Sequence, residues 1–231
     1  DKLGLSKVIV ACPVTGQVAG EEALNIVYGI NHNLYDPNIH RVVTAASCTT
    51  NCLAPVAMIL DNSIGIRSGF MTTIHSFTGD QRTVDQAHND LRRARTASSS
   101  MIPASTGAAK AIGLVLPKLK GRLDGTAIRV PTPNVSLIDF TFISKKKTTS
   151  EKINSTMIKA SKKSNLKNIL TINDLPLVSV DFNHNPSSSI FDTTQTQVID
   201  QNFCRVLSWY DNEWGFSNRM IDTLLDLKRL I

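Results

Sequence analysis

Long apolar runs are absent from this 231-residue chain. None approaches the ~18 consecutive apolar residues of a membrane-spanning helix, so a membrane-embedded role is not expected. The opening Asp1-Lys2-Leu3-Gly4-Leu5 has the features of no signal peptide. Cysteine is sparse, with only Cys12, Cys48, Cys52 and Cys204. An even count invites a disulfide framework, but the chain is long and shows no export signal. Cys48 and Cys52 are four residues apart on one predicted helix, a spacing that makes neighbours without favouring a bridge. A zinc site needs more Cys or His at short spacing, and His75 and His88 are not so arranged, so no metal is expected. A turn of the form Gly-x-Gly-x-x-Gly does not occur, nor does an internal repeat or a low-complexity linker.

What is present describes a globular protein. Hydrophobic residues make up 42% and charged residues 19% of the chain, enough apolar material to bury a core. The formal net charge is +6, yet the basic residues are dispersed. The densest runs, Lys145-Lys146-Lys147 and Lys162-Lys163, lie among Ser, Thr and Asn and read as solvated turns. The excess charge permits an anionic substrate without requiring nucleic acid. The expectation is a cytoplasmic protein with reduced thiols and no obligatory nucleic-acid or membrane partner.

The most informative stretch is Ala45-Ala46-Ser47-Cys48-Thr49-Thr50-Asn51-Cys52-Leu53-Ala54. Residues 41–45 read as a strand. Leu53, Val56, Ala57 and Leu60 then recur at helical spacing. Cys48 falls at the first turn, with Ser47 or Thr49 as N-cap. Unpaired N–H groups and the positive end of the helix dipole favour a thiolate there, and the same donors stabilise an oxyanion formed beside the sulfur. A free cysteine is also commonly a small buried residue, and the spacing leaves both readings open. Residues 69–75 form an apolar, β-branched strand ending at His75. Such a histidine can be a satisfied core residue, or a rigidly mounted base near neutral pH.

Elsewhere the pattern predicts strands over 6–13 and 25–29, with a Gly-rich loop over 14–23 between them and a turn-rich connection over 31–39. Residues 77–100 are polar and without period. Ala108, Ala111, Ile112, Val115, Leu116 and Leu119 mark a helix stopping near Lys120-Gly121. Strands follow over 126–130 and 135–143, and a helix over 150–161. Further strands are predicted over 177–182, 188–192, 196–200 and 203–210, with a last helix from about 213 to 230. The fold class is α/β. An α+β catalytic domain, a mainly antiparallel sheet with helices on one face, is preceded by the last strands of a Rossmann-type parallel sheet.

The segment Ser47-Cys48-Thr49-Thr50-Asn51-Cys52 resembles the active-site segment of phosphorylating glyceraldehyde-3-phosphate dehydrogenases. The resemblance continues, in the family's order, through His75, residues 91–95, 103–110, 129–136 and 208–213. It covers nearly all the chain from Lys7 onward. That family begins with roughly a hundred residues of nucleotide-binding fold carrying the glycine-rich turn. The resemblance therefore implies either a fragment or an upstream stretch not represented here. It divides the chain into residues 1–47, the end of a dinucleotide-binding domain; 48–212, a catalytic domain; and 213–231, a C-terminal helix packing back on the dinucleotide-binding domain. Residues 77–100 correspond to a loop that lies between subunits and lines the cofactor site.

The same resemblance implies a Cys48 nucleophile and a His75 base. Ser47, Thr49, Thr106 and Gly107 would hold inorganic phosphate; Thr78 and Arg129, with Arg93 in the same region, would hold the phosphate of glyceraldehyde 3-phosphate. Asn212 would contact the nicotinamide of NAD, with NADP as the alternative. Phe216 replaces a tyrosine common in relatives. Locally, Thr106-Gly107 reads equally as a helix cap, Asn212 as a turn residue, and each arginine as a surface ion-pair partner. The implied reaction is oxidative phosphorylation to 1,3-bisphosphoglycerate through a Cys48 thioester, in a homotetramer. Erythrose-4-phosphate dehydrogenase and a non-catalytic fragment are the alternatives.

Overall fold

The computed structural model describes residues 7–14, 17–18 and 21–229. Asp1–Ser6, Leu230 and Ile231, included in the readings above, lie outside the described residues, as do 15–16 and 19–20 within the expected loop. In chain order the strands are β1 (Val8–Val10), β2 (Gln17–Val18), β3 (Glu21–Glu22), β4 (Leu24–Asn25), β5 (Val42–Thr44), β6 (Ile66–Ser76), β7 (Ile102–Ser105), β8 (Leu123–Val130), β9 (Ser136–Ser144), β10 (Leu170–Asn173), β11 (Ser189–Ile199) and β12 (Phe203–Tyr210). The α-helices are α1 (Cys48–Ser63), α2 (Ala108–Val115), α3 (Ser150–Ser161) and α4 (Trp214–Arg229).

Two sheets carry the architecture. A small parallel sheet has the order β1-β5-β4, and a seven-stranded sheet the order β10-β11-β12-β9-β6-β8-β7. In the large sheet only β10–β11 and β6–β8 run parallel; the other four pairings are antiparallel. Strand β9 shows why one face is covered. Burial alternates strictly along Ser136–Ser144, the period-two signature of a sheet packed on one side. Its Ile138, Phe140 and Phe142 join Leu53, Val56 and Leu60 of α1, Ile112 of α2 and Ile153 and Met157 of α3 in one cluster. Each fully buried Leu, Ile or Phe contributes about 1.5–3 kcal/mol, so this interface dominates the stability of the larger unit. A second cluster joins Ile26, Tyr35 and Val43 of the small-sheet region to Leu227 of α4.

Several boundaries differ from the sequence reading for identifiable reasons. The 108–119 helix stops at Val115, because Pro117 disfavours helical geometry at Leu116 (φ −124°, ψ 81°); a 3₁₀ turn at Pro117–Leu119 completes the apolar stripe. Residues 177–182 are not a strand. Asp181 caps the Val178 N–H and winds Ser179–Phe182 into a 3₁₀ turn. The two strands expected over 188–200 are one, β11, with an irregularity between Asp192 and Gln197. Strands β7 and β10 were not read from the sequence; each is a short segment that pairs with a longer neighbour, β7 with β8 and β10 with β11. In the early region, β4 ends at Asn25, where the Asn31 side chain takes over the Val27 N–H, and β2 pairs antiparallel with β3 within the expected loop.

Among the described residues, no helix is long and apolar enough to cross a membrane. No group of three or more His, Cys, Asp or Glu among them is placed to hold a metal ion. All four cysteines are free.

Candidate active site

Strand register builds the floor of the site. Tyr210 of β12 stands opposite Ser136 of β9. The β9–β6 pairing sets Leu137 opposite Ile74, which brings His75 beside Ser136 one step on. His75 in turn stands opposite Arg129 of β8. Tyr210, Ser136, His75 and Arg129 thus form a row across four neighbouring strands. His75 shares the face of Met71 and Thr73, which point into the helix-covered core.

Helix α1 starts at the end of this row. Ser47 is its N-cap, and its hydroxyl accepts the Thr50 N–H at 3.0 Å. Cys48 is the first helical residue. The turn into it is tight: Ala46 has φ +56°, a left-handed conformation that crowds any Cβ. Asn51 buttresses that turn, its amide donating to the carbonyls of Ala45 (2.8 Å) and Ser47 (2.9 Å). The result places Cys48 Sγ 3.6 Å from His75 Nε2.

The surroundings hold both groups rigidly. His75 lies edge-on to Tyr210, with ring centroids 5.8 Å apart. The Tyr210 hydroxyl sits between those of Thr49 (2.9 Å) and Thr73 (2.8 Å). His75 Nδ1 is 2.7 Å from the Ser76 carbonyl and 2.9 Å from Arg129 Nη1, and Nη1 also donates to that carbonyl at 3.0 Å. Burial pushes the Cys48 thiol above its ordinary value, although contacts at Thr49 and the Arg129 guanidinium pull the other way. Burial, then Arg129, push the His75 imidazolium down to about 4. Desolvation thus opposes the thiolate that the helix start favours. A neutral thiol facing a neutral imidazole can still ionise when the sulfur attacks, provided that Nε2 is the unprotonated ring nitrogen.

Asn212 is buried near the same sheet end. Its side-chain carbonyl accepts from the hydroxyls of Ser76 and Ser136, both at 2.8 Å. Ser136 Oγ also accepts the Ser76 N–H at 3.0 Å, so its own proton is free to donate to Asn212. With its oxygen occupied twice, the Asn212 amide has its NH₂ left to donate, and that NH₂ reaches Glu213 Oε1 at 3.5 Å. That donor suits a carboxamide oxygen, as on a nicotinamide.

The remaining expected site residues are distributed more widely. Thr78 donates both its N–H and its hydroxyl to the buried Gln81 Oε1. Arg93 pairs with Asp80 and, at 3.4 Å, with Asp90, and reaches Ser105 Oγ at 3.5 Å. A cavity of about 420 Å³ opens beside Thr78, lined by Phe77, Gly79, Gln81 and Arg82 among others. Thr106 and Gly107 start α2, Gly107 as N-cap and the Thr106 hydroxyl accepting the Ala108 N–H at 3.2 Å. The structure brings Cys48, His75, Thr49 and Arg129 into one bonded cluster. Among the described residues, no hydrogen bond or ion pair joins Thr106, Gly107 or Arg93 to it. Sequence reasoning did not single out Tyr210, Ser136, Thr73 or Asn51. Tyr210 lies within the 208–213 block, and the alternation Cys204, Val206, Ser208, Tyr210 is the signal that points it inward.

Comparison with known proteins places this geometry. Residues 47–212 match the family model described as "Glyceraldehyde 3-phosphate dehydrogenase, C-terminal domain". The chain is 57% identical over 227 residues to a glyceraldehyde-3-phosphate dehydrogenase of Xanthobacter flavus, covering 98% of this chain and 66% of that protein. Proteins of the same name from Zymomonas mobilis and Cereibacter sphaeroides are 52% and 55% identical, each over 228 residues, 99% of this chain and 66% of the relative. The chain thus spans just under two thirds of the length of these relatives.

Proposed function

The chain belongs to the glyceraldehyde-3-phosphate dehydrogenase family, and from that premise we propose that it performs the acyl-transfer chemistry of phosphorylating aldehyde oxidation, with Cys48 as nucleophile and His75 as its proton partner. The observation that carries the reading is the 3.6 Å approach of Sγ to Nε2 on an imidazole anchored at its other nitrogen. The substrate is glyceraldehyde 3-phosphate, the product 1,3-bisphosphoglycerate, and the active form a homotetramer. The relatives' shared name favours the three-carbon substrate over erythrose 4-phosphate.

The chain's residues divide the work as follows. His75 Nε2 takes the thiol proton as sulfur bonds to the aldehyde carbon, then returns it to the developing alkoxide, giving a hemithioacetal. As the carbon is oxidised, His75 takes the hydroxyl proton and a thioester remains on Cys48. An inorganic phosphate oxygen attacks the thioester carbon, the S–C bond breaks, and the leaving sulfur recovers a proton from His75. N–H groups at the start of α1 face the oxyanion of each tetrahedral species. A bound nicotinamide dinucleotide supplies the hydride acceptor. Asn212 would hold its carboxamide through its side-chain NH₂. Arg129 and Thr78 bind the substrate's phosphate, Arg93 joining them by exchanging its carboxylate partners. Ser47, Thr49, Thr106 and Gly107 receive the attacking phosphate.

The test uses the acyl-transfer half alone. Mixing the protein with 1,3-bisphosphoglycerate should add a 3-phosphoglyceryl group to Cys48, seen by intact mass, with release of inorganic phosphate. Labelling that persists unchanged in Cys48→Ser refutes the assignment.

A further inference from the structure

His75 Nδ1, the Ser76 carbonyl oxygen and Arg129 Nη1 form a triangle with edges of 2.7, 2.9 and 3.0 Å. Their protons satisfy this triangle in two ways. In one, Arg129 donates to Nδ1, which must then be bare; the single proton of the neutral ring sits on Nε2 and points toward the Cys48 sulfur. In the other, Nδ1–H donates to Ser76 O along the shortest edge, and Nε2 presents a lone pair to the thiol. Only the second arrangement can accept the thiol proton. The Arg129 position decides between them, because its donor competes for Nδ1.

Arg129 is also incompletely satisfied. Its Nε is buried with no hydrogen-bond partner. Among the described residues, no carboxylate lies within ion-pair distance of it. A half-buried guanidinium without a counter-anion has most to gain from an oxyanion, which offers the two-point contact its fork is shaped for.

We propose that Arg129 couples recognition of the substrate's phosphate to the tautomer of His75. Clasped on Nδ1, it holds the ring in the Nε2–H form. Drawn onto an organic phosphate, it releases Nδ1–H to Ser76 O and turns the bare Nε2 toward Cys48. One proton leaves Nε2 and one arrives at Nδ1 through solvent, so the ring stays neutral and nothing is consumed. The proposal rests on Arg129 as a phosphate ligand and deepens that reading: an aldehyde without phosphate would meet an imidazole in the wrong tautomer, and discrimination would show in kcat as well as in KM. The groups facing the ring are Cys48 from α1, Tyr210 from β12 and Arg129 from β8. Of these, Arg129 alone touches Nδ1. Neutralising its charge also removes one of the two influences that depress the imidazole.

The experiment is a proton–nitrogen correlation analysis, long-range for the imidazoles, of protein labelled with ¹⁵N at histidine and arginine, at pH 7.5. His75 is identified by its loss in His75→Gln, and glycerol 3-phosphate, an unreactive three-carbon phosphate, is the probe. The Arg129 Nε–H resonance reports engagement of the guanidinium independently. The expected result is an Nε2–H ring without probe and an Nδ1–H ring at saturation, with Arg129→Met giving Nδ1–H throughout. A shift at Arg129 with no change of tautomer overturns the proposal and leaves phosphate binding intact. No shift at Arg129 overturns both. A tautomer change on adding probe to Arg129→Met also overturns it. Should that variant fail to fold, the titration of the unmodified protein decides alone.

Discussion

Acid should destabilise this fold through His75 before most of its carboxylates protonate. The ring is 4% exposed and its protonation is depressed to about 4, against about 6.5 for an unfolded histidine. The folded chain therefore binds the proton less readily than the unfolded one, so stability is fully present above pH 6.5 and is lost as pH falls toward 4. At about 1.4 kcal/mol per pH unit, the loss amounts to about 2 kcal/mol by pH 5 and about 3 kcal/mol below pH 4. Urea unfolding at pH 7.5 and pH 5, for the protein and for His75→Gln, isolates the contribution, because acidic groups common to both cancel in the difference. The unmodified chain should lose about 2 kcal/mol more than the variant over that interval. Direct NMR titration of the imidazole gives the same quantity without a variant, with a midpoint near 4. Equal pH dependence of the two proteins, or a midpoint at 6 or above, would refute the argument that desolvation and Arg129 govern this ring.

Other outcomes follow from the same geometry. Alkylation of Cys48 by iodoacetamide, followed by peptide mass analysis in the ligand-free protein, should rise with a midpoint above the ~8.5 of an ordinary thiol, because burial outweighs the helix start; a midpoint below 7 contradicts this. Tyr210→Phe removes a hydroxyl bonded to Thr49 and Thr73 and should cost about 1–3 kcal/mol in urea unfolding, without loss of secondary structure by circular dichroism. Gly125→Ala drives a Cβ to 2.5 Å from the Met71 carbonyl, where β8 lies against β6, and should lower stability by about 1–3 kcal/mol; a neutral result would mean that the two strands separate more readily than their pairing suggests.

Local signals were legible where one element carried them. The apolar stripe Leu53, Val56, Ala57, Leu60 marks α1, and Ser47 ahead of it marks the cap. The helix α3 follows from Ile153, Met157 and Ala160 on one face, with Thr149 as its cap. Legibility failed where a neighbour decided the outcome. Residues 177–182 have strand-like composition, yet one carboxylate, Asp181, turns them into a 3₁₀ segment. Strand β10 exists because β11 lies beside it to pair with. The environment of Cys48 is only half legible for a related reason: the helix start is visible in the sequence, whereas the desolvation that opposes it comes from the packed fold.

The cluster around Cys48 is a product of register, and register is a tertiary property. Thr49 and Tyr210 are 161 residues apart, Ser76 and Asn212 136, and His75 and Arg129 54. A one-residue slip of β8 against β6 would turn Arg129 away from His75 to the opposite face of the sheet. The buried contact that opposes such a slip is Met71 of β6 against Gly125 of β8, lower on the same two strands. The core side of β6 therefore sets where the chemistry at its end can occur. It follows that substitutions at Met71 or Gly125, which do not touch Cys48, should alter its alkylation rate and its response to glycerol 3-phosphate together, whereas equally destabilising changes in α3 should alter neither.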